Sequence, residues 1–203
     1  MTLAYWIGYR LFTEIAHGFF GYQVIGRENI QIPGPVLVVS NHVSFMDPPL
    51  VGIAFDEPLH FLAKKTLFAN PIAGAIFRSW QAIPVDQDAP GPGSLKAVMR
   101  QLRAGEKVII FPEGNRSEDG NFQKPENGVG LVIAKAGVPV IPARVFGAFE
   151  ALPRHRSLPQ PSRVTVVFGR PWIIDPANYK ETGKELYQRL AVESMERISE
   201  LQA

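Results

Sequence analysis

Residues Ser40 to Pro48, SNHVSFMDP, place a histidine directly after an apolar run and a carboxylate beyond it, with four residues between them. An aspartate accepting a hydrogen bond from one imidazole nitrogen fixes the tautomer and leaves the other nitrogen free to take a proton, as a general base does. On a continuous helix His42 and Asp47 would sit roughly 140° apart and could not meet. Asp47-Pro48 reads instead as a helix start, with Asp47 as N-cap and Pro48 at the first helical position. His42 then falls in a strand-to-helix turn whose curvature can bring its ring to the carboxylate, at the sheet edge where α/β proteins bind ligands. Taken alone, the spacing fits a loop histidine and an ordinary cap equally well.

A second stretch, IIFPEGNRSEDG, follows another apolar run with Glu113, Gly114, Asn115, Arg116 and Ser117 in succession. Gly114 permits a tight turn, and Arg116 can hold a phosphate in forked geometry. The plainer alternative is a polar surface turn with a Glu-Arg pair, which adds little to stability. Ser40, Ser44 and Ser117 sit in no Gly-x-Ser-x-Gly elbow, so a serine nucleophile is not expected. No second histidine completes a metal site with His42, Asp47 and Glu113, and no metal is expected. His17, His60 and His155 have no evident partners. RHRSLPQPSR (Arg154 to Arg163) is locally basic, either a solvated loop or a contact for anionic lipid or the phosphates of CoA.

The elements that must position these residues follow from hydrophobic patterning. PVLVVS (Pro35 to Ser40) and KVIIFP (Lys107 to Pro112) read as buried strands, with LHFLA, AIPV, VPVIPARVF and RVTVVFG as further strands. Ser94 is placed as the cap of a helix LKAVMRQLRA ending at Gly105, and APGPGS (Ala89 to Ser94) as a loop. GLVIAKAG is a short helix closing at Gly137. Pro176 to Ala203 carries the pattern of an amphipathic terminal helix. Alternating strands and helices predict a single α/β domain with a mixed, largely parallel sheet flanked by helices. A net charge of +2 with no basic-aromatic run points away from nucleic acid, and the absence of cysteine excludes thiol chemistry and disulfides.

Residues Leu3 to Val24 are rich in aromatic and aliphatic side chains but interrupted by Arg10, Glu14 and His17, so they form no unbroken spanning segment. Those three polar residues share one helical face, while Trp6, Phe12, Phe19 and Phe20 are apolar anchors. Such a helix lies in a membrane interface or packs on the domain core.

Taken together, these stretches resemble the glycerolipid acyltransferase family. Its first block, Asn-His-x4-Asp, stands here as NHVSFMD, and its third as FPEGNRS, with Asn115 in place of threonine. Its fourth is VPVIP (Val138 to Pro142), and FLAKKTLF matches its lysine-containing segment. Order and spacing agree from about Gly26 to Phe146. Two positions depart: Gln87 stands where the second block usually carries arginine, and the Lys-Gly pair is blurred in QKPENGVG, where Lys124 lies early and Asn127 precedes Gly128.

The resemblance implies a membrane-associated O-acyltransferase at the cytoplasmic face of the inner membrane. It would carry an N-terminal apolar interfacial helix (1–21) and an acyltransferase domain (22–203). The expected reaction moves a fatty acyl group from acyl-CoA or acyl carrier protein to the free hydroxyl of 1-acylglycerol-3-phosphate, without a cofactor or an acyl-enzyme. His42 would act as base and Asp47 as its orienting carboxylate. Glu113, Gly114, Asn115, Arg116 and Ser117 would form the acceptor site, with Lys64 a second phosphate contact. The competing readings are another lysolipid acceptor such as lyso-ornithine lipid, which Gln87 favours, a non-catalytic lipid-binding protein, and a thioester hydrolase.

Overall fold

Runs of branched apolar residues become strands wherever two helical layers cover both faces of a sheet. The computed structural model describes residues 3–86 and 92–203, and Gln87 lies outside them. Its strands are β1 (Gln23–Ile25), β2 (Val36–Ser40), β3 (Leu59–Lys64), β4 (Ala82–Val85), β5 (Lys107–Ile110), β6 (Val140–Phe146) and β7 (Thr165–Phe168). They form one sheet in the order β1-β7-β6-β2-β5-β3-β4. The five strands from β6 to β4 run parallel. β7 is antiparallel to β6, and β1 runs parallel to β7. This is the mixed, largely parallel sheet that the alternation of elements predicts. β1 is too short to show a sequence signal.

Central β2 is buried at all five positions, which explains its unbroken apolar run: both faces are covered. Val36 and Val38 enter one core, with Leu50 and Val51 of α2 (Asp47–Gly52) and Ala16 and Phe20 of α1 (Leu3–Phe20). Leu37 and Val39 enter the other, against α4 (Pro92–Arg103), α5 (Asn127–Ala136) and α7 (Gly183–Ser199). Buried Lys107 donates to the carbonyls of Ile32 (2.7 Å) and Gly34 (2.9 Å), fixing the chain that leads into β2.

Two expected helix starts are corrected. Pro92 begins α4, so Ser94 lies inside the first turn rather than capping it, and the loop expected over Ala89 to Ser94 has its last three residues in the helix. Residues 89–91 lie outside the described residues. Helix α2 has Met46 at its N-cap and Asp47 as its first residue; the reason lies in the Asp47 carboxylate, described below. Helix α3 (Pro71–Ser79), capped by the Asn70 side chain accepting from the Ile72 and Ala73 N–H groups, was not anticipated.

Helix α1 is apolar on two sides. Ala16 and Phe20 are core, Phe12 packs edge-on against Trp80, and the Tyr9 hydroxyl donates to the Ile53 carbonyl at 3.0 Å. Leu3, Ile7, Leu11, Ile15 and Phe19, every fourth residue, face outward. Among the described residues no helix is long and apolar enough to cross a membrane.

Candidate active site

The site forms where central β2 and its neighbour β5 end side by side, because parallel strands deliver their following loops to one edge of the sheet. Beyond Ser40, buried Asn41 continues the pairing with its side chain. Its Nδ2 donates to the Val145 carbonyl at 3.1 Å, and its Oδ1 accepts from the Val145 N–H at 2.8 Å. The amide thus imitates a strand partner and ties the end of β2 to β6.

His42 follows. Its Nδ1 lies 2.7 Å from Asp47 Oδ2, and that same oxygen accepts from the backbone N–H groups of Val43 and Ser44, each at 2.7 Å. Asp47 is fully buried. Its carboxylate therefore turns back onto the 42–44 loop instead of capping α2, which accounts for the shifted helix start. An oxygen already accepting two backbone donors is an acceptor toward the imidazole as well, so in the neutral ring Nδ1 carries the proton and Nε2 presents its lone pair. Nε2 has no hydrogen-bond partner among the described residues, and the histidine side chain is 17% exposed. The ring lies flat on Phe111, with centroids 3.9 Å apart and planes 17° apart, so its swing is limited on that side.

The Glu113 loop grips the backbone of His42 from both ends. Glu113 Oε1 accepts from the His42 N–H at 2.8 Å, and the Ser117 N–H donates to the His42 carbonyl at 2.8 Å. Glu113 Oε2 accepts from the Gln123 N–H at 3.0 Å, holding the far side of the loop. Burial pushes the Glu113 carboxyl pKa up, while the two backbone donors act in the opposite direction. Gly114 closes the turn in the left-handed region (φ 70°), and its N–H donates to the Phe111 carbonyl at 3.0 Å.

The other expected site residues are distributed around this centre. Arg116 is half-buried, with its guanidinium 5.8 Å from the Phe45 ring centroid. Asn115 is exposed on the turn. The Ser117 hydroxyl is engaged within the loop, donating to the Asn121 carbonyl at 2.8 Å with Asp119 Oδ1 at 3.1 Å. Lys64 is exposed at the end of β3, on the same edge of the sheet. His17 and His155 are exposed, whereas His60 is buried near the start of β3 with Nδ1 unpartnered, and burial lowers its pKa. Sequence reasoning missed Asn41 and Phe111. Both sit within the quoted blocks, but their types signal packing rather than chemistry.

A base with one oriented nitrogen and one free nitrogen, beside a half-buried cation, suits deprotonation of a hydroxyl on an anionic molecule. A family model described as acyltransferase matches residues 21–145. A Bacillus subtilis protein named 1-acyl-sn-glycerol-3-phosphate acyltransferase is 29% identical over 153 residues, covering 74% of this chain and 73% of that one. A protein of the same activity name from Chlamydomonas reinhardtii is 34% identical over 153 residues, 73% of this chain and 46% of that one. Among solved structures, the 1-acyl-sn-glycerophosphate acyltransferase of Thermotoga maritima superposes with a TM-score of 0.73 at 27% identity, covering 97% of this chain and 80% of that one.

Proposed function

This chain belongs to the glycerolipid acyltransferase family and is an acyltransferase, and we propose that it acylates the free hydroxyl of 1-acylglycerol-3-phosphate to give phosphatidate. The donor is an acyl thioester, of CoA or of acyl carrier protein. The observation that carries this reading is the His42 Nδ1 to Asp47 Oδ2 bond of 2.7 Å with Nε2 left free. Nε2 takes the acceptor's hydroxyl proton as that oxygen bonds to the thioester carbonyl carbon. The tetrahedral intermediate then expels the thiolate, which recovers the proton from the imidazolium. Asp47 stabilises that imidazolium, and further rate comes from holding acceptor and donor together. Arg116 supplies positive charge for the acceptor phosphate. No acyl-enzyme is required.

The test is product mass analysis with acyl thioesters and a mixed pool of lysolipids, alongside thiol release. Phosphatidate formed only when lysophosphatidate is present supports the reading. Thiol release without any acceptor would make the protein a hydrolase, and acylation confined to zwitterionic or amino-acid lysolipids would replace the acceptor.

The acceptor is a lipid, so the site must work at a bilayer. Support comes from the outward row of α1, and from exposed Phe45, Ile72 and Ile76. The last two lie on α3, which packs Phe77 against Phe45 near the site. In this reading α1 and α3 lie in the interface and lysophosphatidate enters laterally. The double variant Ile7→Glu, Leu11→Glu is expected to lower sedimentation with anionic vesicles roughly tenfold or more. Its melting temperature should stay near that of the parent, because both side chains face outward. Equal vesicle binding by the variant would remove α1 from the interface.

A further inference from the structure

Arg116 is the expected cation of the acceptor site, yet a second arginine is carried to it from a distant part of the chain. Helix α6 (Ala148–Ala151) is followed by Leu152, whose carbonyl accepts from the Ser44 hydroxyl at 2.8 Å. Ser44 is the second residue after His42, so this bond pins the start of the basic stretch to the catalytic loop. Two residues on, Arg154 Nη1 reaches Glu118 Oε1 at 3.3 Å, on the loop that carries Arg116.

We propose that Arg154 is the second guanidinium of a phosphomonoester site, with Arg116 the first, and that Glu118 holds Arg154 in place until the acceptor phosphate displaces it. The proposal deepens the reading above and rests on it. Burial disfavours the Arg116 charge most, and repulsion from Arg154, held through Glu118 on the same loop, acts in the same direction. Two adjacent guanidiniums are unfavourable in the free protein. A phosphomonoester carrying about −1.5 to −2 charges at neutral pH turns that repulsion into two attractions. The Phe45 ring beside Arg116 gives its guanidinium a flat support. The Arg154–Glu118 pair is long at 3.3 Å, with side chains 45% and 83% exposed, so little is lost when it opens.

Chain chemistry favours the acceptor over the donor as the source of the phosphate. In lysophosphatidate the reacting hydroxyl and the phosphate sit on adjacent carbons, so a phosphate site must adjoin the base. In CoA the pantetheine arm separates the phosphates from the thioester. The Ser44 tether joins the segment that carries Arg154 to the loop that carries His42.

The experiment compares full-length wild type with Arg154→Ala, Arg154→Lys, Glu118→Gln and Arg156→Ala. Michaelis parameters are measured for both substrates, and glycerol 3-phosphate binding is followed by calorimetry as a readout independent of turnover. Arg154→Ala is expected to raise KM for lysophosphatidate and weaken glycerol 3-phosphate binding about tenfold or more. Its kcat and donor KM should change less than about threefold. Arg154→Lys should recover part of the loss, Glu118→Gln should lower the acceptor KM, and Arg156→Ala, an exposed neighbour, should match wild type. Unchanged acceptor KM and binding in Arg154→Ala overturns the proposal, as does a rise confined to the donor KM or an equal loss in Arg156→Ala. If wild type binds glycerol 3-phosphate through Arg154 but does not acylate lysophosphatidate, the phosphate site stands and the acceptor assignment falls. If wild type shows neither, both fall.

Discussion

His42→Ala is expected to lower kcat/KM for acyl transfer by roughly two to four orders of magnitude, the range a positioned base contributes. The variant should still fold. Removing the ring takes one hydrogen bond from Asp47 Oδ2, but the Val43 and Ser44 N–H groups remain on that oxygen at 2.7 Å each, so the buried carboxylate keeps two donors. The Glu113 and Ser117 bonds to position 42 are made by backbone atoms and survive the substitution. Thermal unfolding should therefore shift little while thiol release falls, a combination that separates chemistry from stability. Asp47→Asn should lose much of the same rate, because a neutral amide no longer stabilises the imidazolium. An alanine variant that retains more than about a tenth of wild-type kcat/KM would remove His42 as the base.

Much of this architecture was legible because buried parallel strands write themselves as unbroken apolar runs. The runs Pro35 to Ser40, Lys107 to Pro112 and Val138 to Phe146 contain β2, β5 and β6, which lie in the centre of the sheet. β1 was missed because three residues at an edge, with only the middle one partly buried, carry no periodicity. Helix α1 was readable as a helix but not as to which surface it faced. Its sequence is apolar both toward the core and outward, so hydrophobic content could not divide the two sides.

In the site, residue types were legible and side-chain directions were not. His42 and Asp47 were expected to meet, and they do. Asp47 was expected to cap the helix as well, but both loop N–H bonds go to the oxygen that faces His42. Glu113 was expected among substrate-binding residues, yet each of its oxygens accepts a backbone N–H. No spacing rule reveals that a carboxylate 71 residues along the chain will bond to the histidine's own N–H, since the meeting depends on β2 and β5 ending together. Arg154 was visible only as part of a basic stretch. The Ser44–Leu152 bond that brings it to the site has no local signature.

Gly130→Ala is expected to destabilise the fold by about 3 kcal/mol or more, beyond the gain in helix propensity of about 1 kcal/mol that alanine brings. Gly130 lies in α5, where α7 crosses it. A Cβ built there would lie 1.7 Å from the Tyr187 carbonyl oxygen, 2.6 Å from its carbon and 2.9 Å from its Cα. These are backbone atoms of helix α7, so no rotamer change relieves the overlap. The two helices must separate, and that opens the core between Val129, Val132 and Ile133 of α5 and Leu186 and Leu190 of α7. For a chain of this size each kcal/mol moves the melting temperature by roughly 2–4 °C, so a fall of roughly 6–12 °C is expected in calorimetry. Gly18→Ala is the matched control: it is also helical, with nothing within 4 Å of the added carbon, and should melt at or slightly above wild type. If the two variants melt together, the α5–α7 crossing is looser than its geometry implies. The site lies on loops after β2 and β5, so well below the melting point Gly130→Ala should keep near-normal kcat, the reverse of the pattern expected for His42→Ala.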